Sequence, residues 1–484
     1  MELSERLQAL AMEKAAILHG DAERVAKQHA EGKSTARERA SKLFDAGSFM
    51  EIDALRENAN LVAGCGTVNG QAVYCFAQDF TSCGGAMTRQ QAAKILKVLH
   101  MAQVNGAPVV ALLDSAGIKL HDGMEALPAY GEILSAMARL SGVCPMISCV
   151  MGPCVGLAAI LTQLTDINIQ VKKTGHIALH TSQVMNSEKG RQKTDEQLFG
   201  AETMDAQGAC AFTAESEDEA ISLAAAVIDL LPACNMEDAP LSDSEDLNRL
   251  MVCDDASDPE SLIRDLADNA QALEMYKGYG PAVRTMLCRV GGRTVGVVAN
   301  HYAVDAGRLS SQDCRKAARF VRLCDCYQIP VVSLVNTDGM TVPLVGHQGA
   351  LLRGAADLLY AYAEATAPKI AILTGSAVGA AYVAMGGKAI ADVTYAWPSA
   401  MVAPLTRETA VQTLDGDKLN AGESREALEE AYANQYGALS AAKAGVVDDV
   451  IEPRETRKYV IAALELLASK RDVNLPKKHG NLPL

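Results

Sequence analysis

The chain has 484 residues, of which 49% are hydrophobic and 21% charged, with a net charge of −15. That length supports two or three domains with cores of their own. The acidic balance excludes a nucleic-acid partner, because no basic stretch is dense enough to neutralise phosphates. Its 13 cysteines are scattered singly, and the nearest pair, Cys324 and Cys326, is spaced CxC. This fits neither a disulfide framework nor a four-cysteine zinc site and points to a reducing, cytoplasmic setting without a metal in the chain.

In chain order, MELSERLQALAMEKAAILHG reads as a charged amphipathic helix rather than an apolar leader, and helices are expected up to about Ala40. Strand and helix then alternate: strand VYCFAQDF, helix QQAAKILKVLHMAQ, strand PVVALLD, a helix, strand PMISCVM and helix GLAAILTQL. The uncharged run from Ser141 to Thr165 is long enough to span a membrane. Pro145 and the Gly152-Pro153 pair cut it into a strand-sized and a helix-sized piece, so the membrane reading is rejected. Residues 235–260 are acidic and poor in apolar periodicity, as expected of a domain boundary.

Beyond them the pattern restarts. RTVGVVANHY answers QAVYCFAQDF, KAARFVRLCDCY answers AAKILKVLHMAQ, and IPVVSLVNTDG answers APVVALLDSAG. Pro108 to Gly117 and Pro330 to Gly339 both span nine residues; Pro108 to Pro145 spans 37 and Pro330 to Pro368 spans 38. Finally PKIAILTGSAVGAAYV answers PMISCVMGPCVGLAAI, with Gly152 and Gly375 at one offset and Gly156 and Gly379 at another. A repeat this long means two domains of one fold, 1–240 and 250–484, rather than a solenoid. Each is expected to be α/β with right-handed crossovers, and a last helix is expected near 457–470.

A strand that ends in Gly-x-x-x-Gly and runs into a helix leaves backbone N–H groups without intrahelical acceptors, and the helix dipole behind them favours oxyanions. The alternative is that the glycines only let the helix pack against the sheet. Two copies in register, each preceded by another Gly-ended strand (DSAG, NTDG), favour the oxyanion reading. Neither turn contains His, Asp or Glu, so no base is local to either. Cys154 has no His nearby in sequence and Ala377 as its counterpart, so it reads as packing rather than as a nucleophile.

An ordered set of motifs now carries a resemblance over nearly the whole chain. It comprises GKSTARERASKLFDAGSFMEID (32–53), FAQDFTSCGGAMTRQQAAKI (76–95), DSAGIKLHDG (114–123), the glycine turn through Asp166, RFVRLCDCYQIPVVSLV (319–335), LLYAYAEATAPKIAILT (358–374), YAWPSA (395–400), VVDDVIEPRETR (446–457) and KKHGNLPL (477–484). The chain resembles the carboxyltransferase (β-subunit) family of biotin-dependent acyl-CoA carboxylases and the related methylmalonyl- and glutaconyl-CoA decarboxylases. The resemblance implies two tandem crotonase-like (ClpP/crotonase) ββα-spiral domains related by internal duplication. It implies an N-terminal domain on the acyl-CoA side, a C-terminal domain on the biotin side, and sites shared between subunits of a hexamer.

Carried over residue by residue, the resemblance implies that the amides at Gly156-Leu157 hold an acyl enolate oxygen. Those at Gly379-Ala380 would hold the ureido oxygen of biotin, which itself serves as base. Ala116, Gly117 and Lys119 would lie near the CoA, Gly339 and Val383 would be cofactor-binding as well, and Val383, where some members carry Asp and others an apolar residue, points to a small straight acyl group. Leu157 and Ala380 replace a usual second Gly, Ala116 and Lys119 a usual Gly and Arg, and Asp338 and Met340 a usual Pro and Phe. Thr406-Arg407-Glu408 departs from the family pattern, and a basic segment often found before Val62 is missing. The expected activity is carboxyl transfer between carboxybiotin on a separate carrier and a short-chain acyl-CoA such as propionyl-CoA or acetyl-CoA, with biotin carboxylase and biotin carboxyl carrier protein as partners. Two other readings stand beside it: the same half-reaction in a sodium-pumping acyl-CoA decarboxylase with membrane subunits, and a catalytically silent paralogue with a structural role.

Overall fold

The computed structural model describes residues 3–56, 61–119, 124–190 and 192–482. The end of the DSAGIKLHDG motif, residues 120–123, lies outside them. The chain divides into two compact units, Met1–Asp238 and Ala239–Leu484.

The strands of the first unit are β1 (Met50–Glu51), β2 (Leu61–Val68), β3 (Gln71–Gln78), β4 (Val109–Ser115), β5 (Met146–Val155), β6 (Ile167–Val171), β7 (His176–Ala178) and β8 (Phe212–Ala214). Those of the second are β9 (Ala272–Met275), β10 (Val283–Val290), β11 (Arg293–Asn300), β12 (Val331–Thr337), β13 (Lys369–Val378), β14 (Val393–Ala396), β15 (Met401–Ala403) and β16 (Asp449–Val450). The sheet orders are β1-β2-β3-β4-β5-β6-β8, with β7 on β5, and β16-β14-β13-β12-β11-β10-β9, with β15 on β13.

Each sheet contains an antiparallel hairpin, β2–β3 or β10–β11. Their turns are Asn69-Gly70 and Gly291-Gly292, all with positive φ, the requirement of a two-residue turn that matches strand twist. From β3 and β11 onward the pairings are parallel, which demands crossovers. Helices supply them, and their ends are set locally. Thr88 accepts from Gln91 N–H at 3.0 Å to start the helix Arg89–Asn105, and left-handed Gly106 ends it. In the second unit Ser310 and Asp313 form a capping box at the start of Ser311–Cys326.

The central strands β4 and β12 are buried along their whole length, as strands covered on both faces must be. Both carry the same irregularity against the next strand, between Leu113 and Ser115 in one unit and between Val335 and Thr337 in the other. The uncharged run 141–165 resolves into β5 and the helix Leu157–Leu164, and no helix among the described residues is long and apolar enough to cross a membrane. The last helix is Thr456–Leu467.

Candidate functional site

The site residues singled out in the sequence come together in two sets, one per unit. In the first unit, β4 ends at Ser115 and a short loop follows. Ala116 N–H donates to Gly84 O (2.9 Å), Gly117 N–H to Ser115 Oγ (3.1 Å) and Lys119 N–H to Met87 O (3.3 Å), while Gly117 O accepts from Met87 N–H (2.8 Å). A Cβ on Gly117 would stand 3.1 Å from Val155 O, so this loop lies against the turn Val155-Gly156-Leu157.

Gly156 has φ 70° and ψ −126°, a region in which only glycine is at ease, and a Cβ there would meet nothing within 4 Å. Its own N–H is taken: it donates to Ala178 O on β7 at 2.8 Å. Of the pair Gly156-Leu157, the donor able to meet an oxyanion is therefore Leu157. Gly156 shapes the turn, because β7 consumes its N–H. Ala159 N–H closes back on Gly156 O at 3.0 Å, which leaves Leu157 and Ala158 as first-turn amides without an intrahelical acceptor.

The second unit repeats this loop. Asp338 N–H donates to Ala306 O (3.1 Å), Gly339 N–H to Thr337 Oγ1 (3.1 Å) and Thr341 N–H to Leu309 O (3.1 Å); Gly339 O accepts from Leu309 N–H (3.0 Å). A Cβ on Gly339 would be 3.9 Å from Val378 O, beside the turn Val378-Gly379-Ala380. Gly379 has φ +54°, and a Cβ on it would come 3.2 Å from Pro404 O. Ala380 and Val383 are exposed on the short helix that follows, and Ile160 occupies the place of Val383 in the first unit. The two positions are 49% and 39% exposed, so each turn is flanked by an accessible branched side chain.

Cys154 is fully buried, and burial, with Asp114 adding to it, pushes its thiol well above the ordinary range, so it packs and does not attack. The first glycine of each turn also has a packing role. A Cβ on Gly152 would overlap the Asp114 carboxylate, and one on Gly375 the Asn336 amide. Asp114 is wholly buried and accepts from Arg39 (3.0 Å), Gln28 (3.1 Å) and Lys33 (3.4 Å), and Arg39 also pairs with Glu217 at 2.5 Å. Burial alone would weaken the hold of Arg39 on its proton; Asp114 and Glu217 outweigh it and raise its pKa. In the second unit Asn336 instead accepts Ser376 N–H (3.0 Å) and donates to Ala256 O (2.9 Å).

Sequence reasoning missed this network. Its signal was the charge-dense ARERASKL following Thr35, whose Arg39 faces inward.

A model of the carboxyl transferase domain matches residues 27–482. The chain belongs to the carboxyl transferase family. The methylmalonyl-CoA decarboxylase subunit alpha of Veillonella parvula is 38% identical, with 98% of this chain and 100% of that one aligned. The propionyl-CoA carboxylase beta chain of Roseobacter denitrificans is 37% identical over 97% of this chain and 98% of its own length. Among solved structures, transcarboxylase 12S with methylmalonyl-coenzyme A and methylmalonic acid bound matches with a TM-score of 0.96 at 35% identity, covering 100% of this chain and 99% of that one. The fold is thus the duplicated crotonase-like α/β fold of these transferases, and the protein is an enzyme of that family.

Proposed function

We propose that the protein is the carboxyltransferase subunit that moves a carboxyl group between carboxybiotin, borne on a separate carrier, and the α carbon of a short-chain acyl-CoA such as propionyl-CoA or acetyl-CoA. The observation that carries this reading is the pair of matching glycine turns, each opening a helix beside a Gly-ended loop, in a chain that aligns end to end with acyl-CoA carboxylase and decarboxylase subunits.

In the first unit the Leu157 amide donates to the thioester oxygen as negative charge develops on it, with Gly156 holding the turn open. A well-aimed donor of this kind is worth about 3 kcal/mol of transition-state stabilisation. Lys119, next to the Ala116-Gly117 loop, supplies a cation toward the CoA, though not the fork an arginine would give. In the second unit the amide of the exposed residue Ala380 and the accessible apolar wall at Val383 fit a neutral cyclic urea, which needs a donor at its oxygen and an apolar surface for its ring. Bound biotin supplies the carboxyl carrier and the base. The residues of this chain orient its oxygen and keep its ring against Gly339 and Val383. Transcarboxylase 12S assembles as a hexamer, and the same assembly is proposed for this chain, with carrier and carboxylase subunits as partners.

The kinship with methylmalonyl-CoA decarboxylase subunit alpha supports a second reading, in which the same half-reaction runs toward decarboxylation and membrane subunits are the partners. The chemistry at the turns is common to both.

The test is transcarboxylation in reverse. Purified protein is incubated with free biotin and malonyl-, methylmalonyl- or glutaconyl-CoA, and the decarboxylated acyl-CoA is followed. Turnover on one of them is expected and names the substrate. Acyl-CoA binding without turnover on any would overturn transfer in favour of a silent structural subunit.

A further inference from the structure

The two loops repeat their backbone hydrogen bonds, and among the side chains that differ in and beside them are two that face each other in the second unit. Where the first unit has Ala116, the second has Asp338; where the first has Phe80, the second has Tyr302. Tyr302 donates to Asp338 Oδ2 at 3.3 Å, and its pKa is raised, chiefly by burial and then by the Asp338 charge.

Asp338 follows Thr337, which pairs with Ala377 across the β12–β13 ladder, so Asp338 stands level with Val378, one residue before the Gly379 turn. Its backbone N–H is spent on Ala306 O, and its Oδ1 accepts no hydrogen bond from the described residues. The residue is half-buried, with one carboxylate oxygen held by a phenol and the residue itself level with the strand end that leads into the turn.

We infer that Asp338 is a binding residue of the second unit that accepts a hydrogen bond from a ring N–H of a cyclic urea, with Tyr302 as the residue that positions it. This rests on the proposed assignment of the second unit to biotin. A cyclic urea has one acceptor oxygen and two N–H donors, and one ring nitrogen keeps its N–H even when the other carries a carboxyl group. Recognition then needs an acceptor as well as the Ala380 donor. A thioester has no N–H to satisfy. The difference between Asp338-Tyr302 and Ala116-Phe80 follows that difference between the two ligands.

The experiment uses the full chain and saturation-transfer NMR titrations with biocytin. Parallel titrations use 2-imidazolidinone and its N,N′-dimethyl derivative, and the acyl-CoA is titrated separately. Asp338→Ala is expected to weaken biocytin binding at least fivefold, with acyl-CoA affinity unchanged. Tyr302→Phe should give a smaller loss, and wild type should prefer imidazolidinone over its dimethyl derivative. Equal binding of the two ureas, or unchanged biocytin affinity in folded Asp338→Ala and Asp338→Asn, overturns this inference while leaving the biotin assignment intact. Absence of biocytin binding to wild type overturns the assignment itself, and this inference with it.

Discussion

Under the glycine turn of the first unit lies an ion network; under that of the second, at the same place in the fold, lies an amide. Asp114 is surrounded by Arg39, Lys33 and Gln28, all brought in by the helical N-terminal segment, whereas Asn336 is satisfied by two backbone groups, Ser376 N–H and Ala256 O. The backbone mould is common: the main-chain N–H of each residue donates to a side-chain amide oxygen on the neighbouring strand, Asp114 to Gln78 and Asn336 to Asn300. At this position the charge goes with the tethered segment, because a buried carboxylate without cations is costly, whereas an amide with its hydrogen bonds made is not. The comparison also shows that spacing repeated in both halves need not mean chemistry. Gly152 and Gly375 make room for these side chains, and the catalytic proposal rests on Gly156 and Gly379.

The sharpest way to break the comparison is to make the first unit like the second. Asp114→Asn leaves Arg39 and Lys33 short of a counter-charge and should cost about 3–5 kcal/mol in urea unfolding. The reverse change, Asn336→Asp, sets a carboxylate against the Ala256 carbonyl that Asn336 now donates to, and a loss of similar size is expected. If Asp114→Asn were neutral, the network would not be what tethers the N-terminal segment.

Next in size are the turns themselves. Gly156→Pro or Gly379→Pro cannot keep its positive φ and should lower the reverse transcarboxylation rate at least tenfold with circular dichroism unchanged. Equal losses would show that the two turns act as partners; normal rates in both would mean that the oxyanion sites lie elsewhere. Smaller again are Gly152→Ala and Gly375→Ala. Each pushes a methyl into a buried polar side chain and should cost about 1–3 kcal/mol, read by thermal unfolding. Gly152→Ala should be the worse, since it disturbs a charged cluster.

The smallest expected effect concerns Lys94, buried between strand and helix with its ammonium on Leu61 O at 2.7 Å. Burial lowers its pKa from 10.5 to about 8. Between those values the folded chain holds this lysine neutral while the unfolded chain holds it charged. The unfolded state then binds more protons, and stability rises with pH. Relative to Lys94→Met, wild type should gain on the order of 1–2 kcal/mol between pH 8 and 10, measured by urea titration at each pH.

From the sequence alone the duplication, the order of strands and helices and the positions of both glycine turns could be read. These depend on local periodicity, on turn residues and on distances along one chain that repeat. Pro145 with Gly152-Pro153 interrupts an apolar run that would otherwise be long enough to span a membrane. Tertiary structure alone decided which groups meet. That Ala178 takes the Gly156 N–H, that Asp114 fills the space of a missing Cβ at Gly152, and that Tyr302 reaches Asp338 are contacts between segments far apart in the chain. No local propensity encodes them; they follow from how β4, β5 and β7, or β12 and β13, are set side by side.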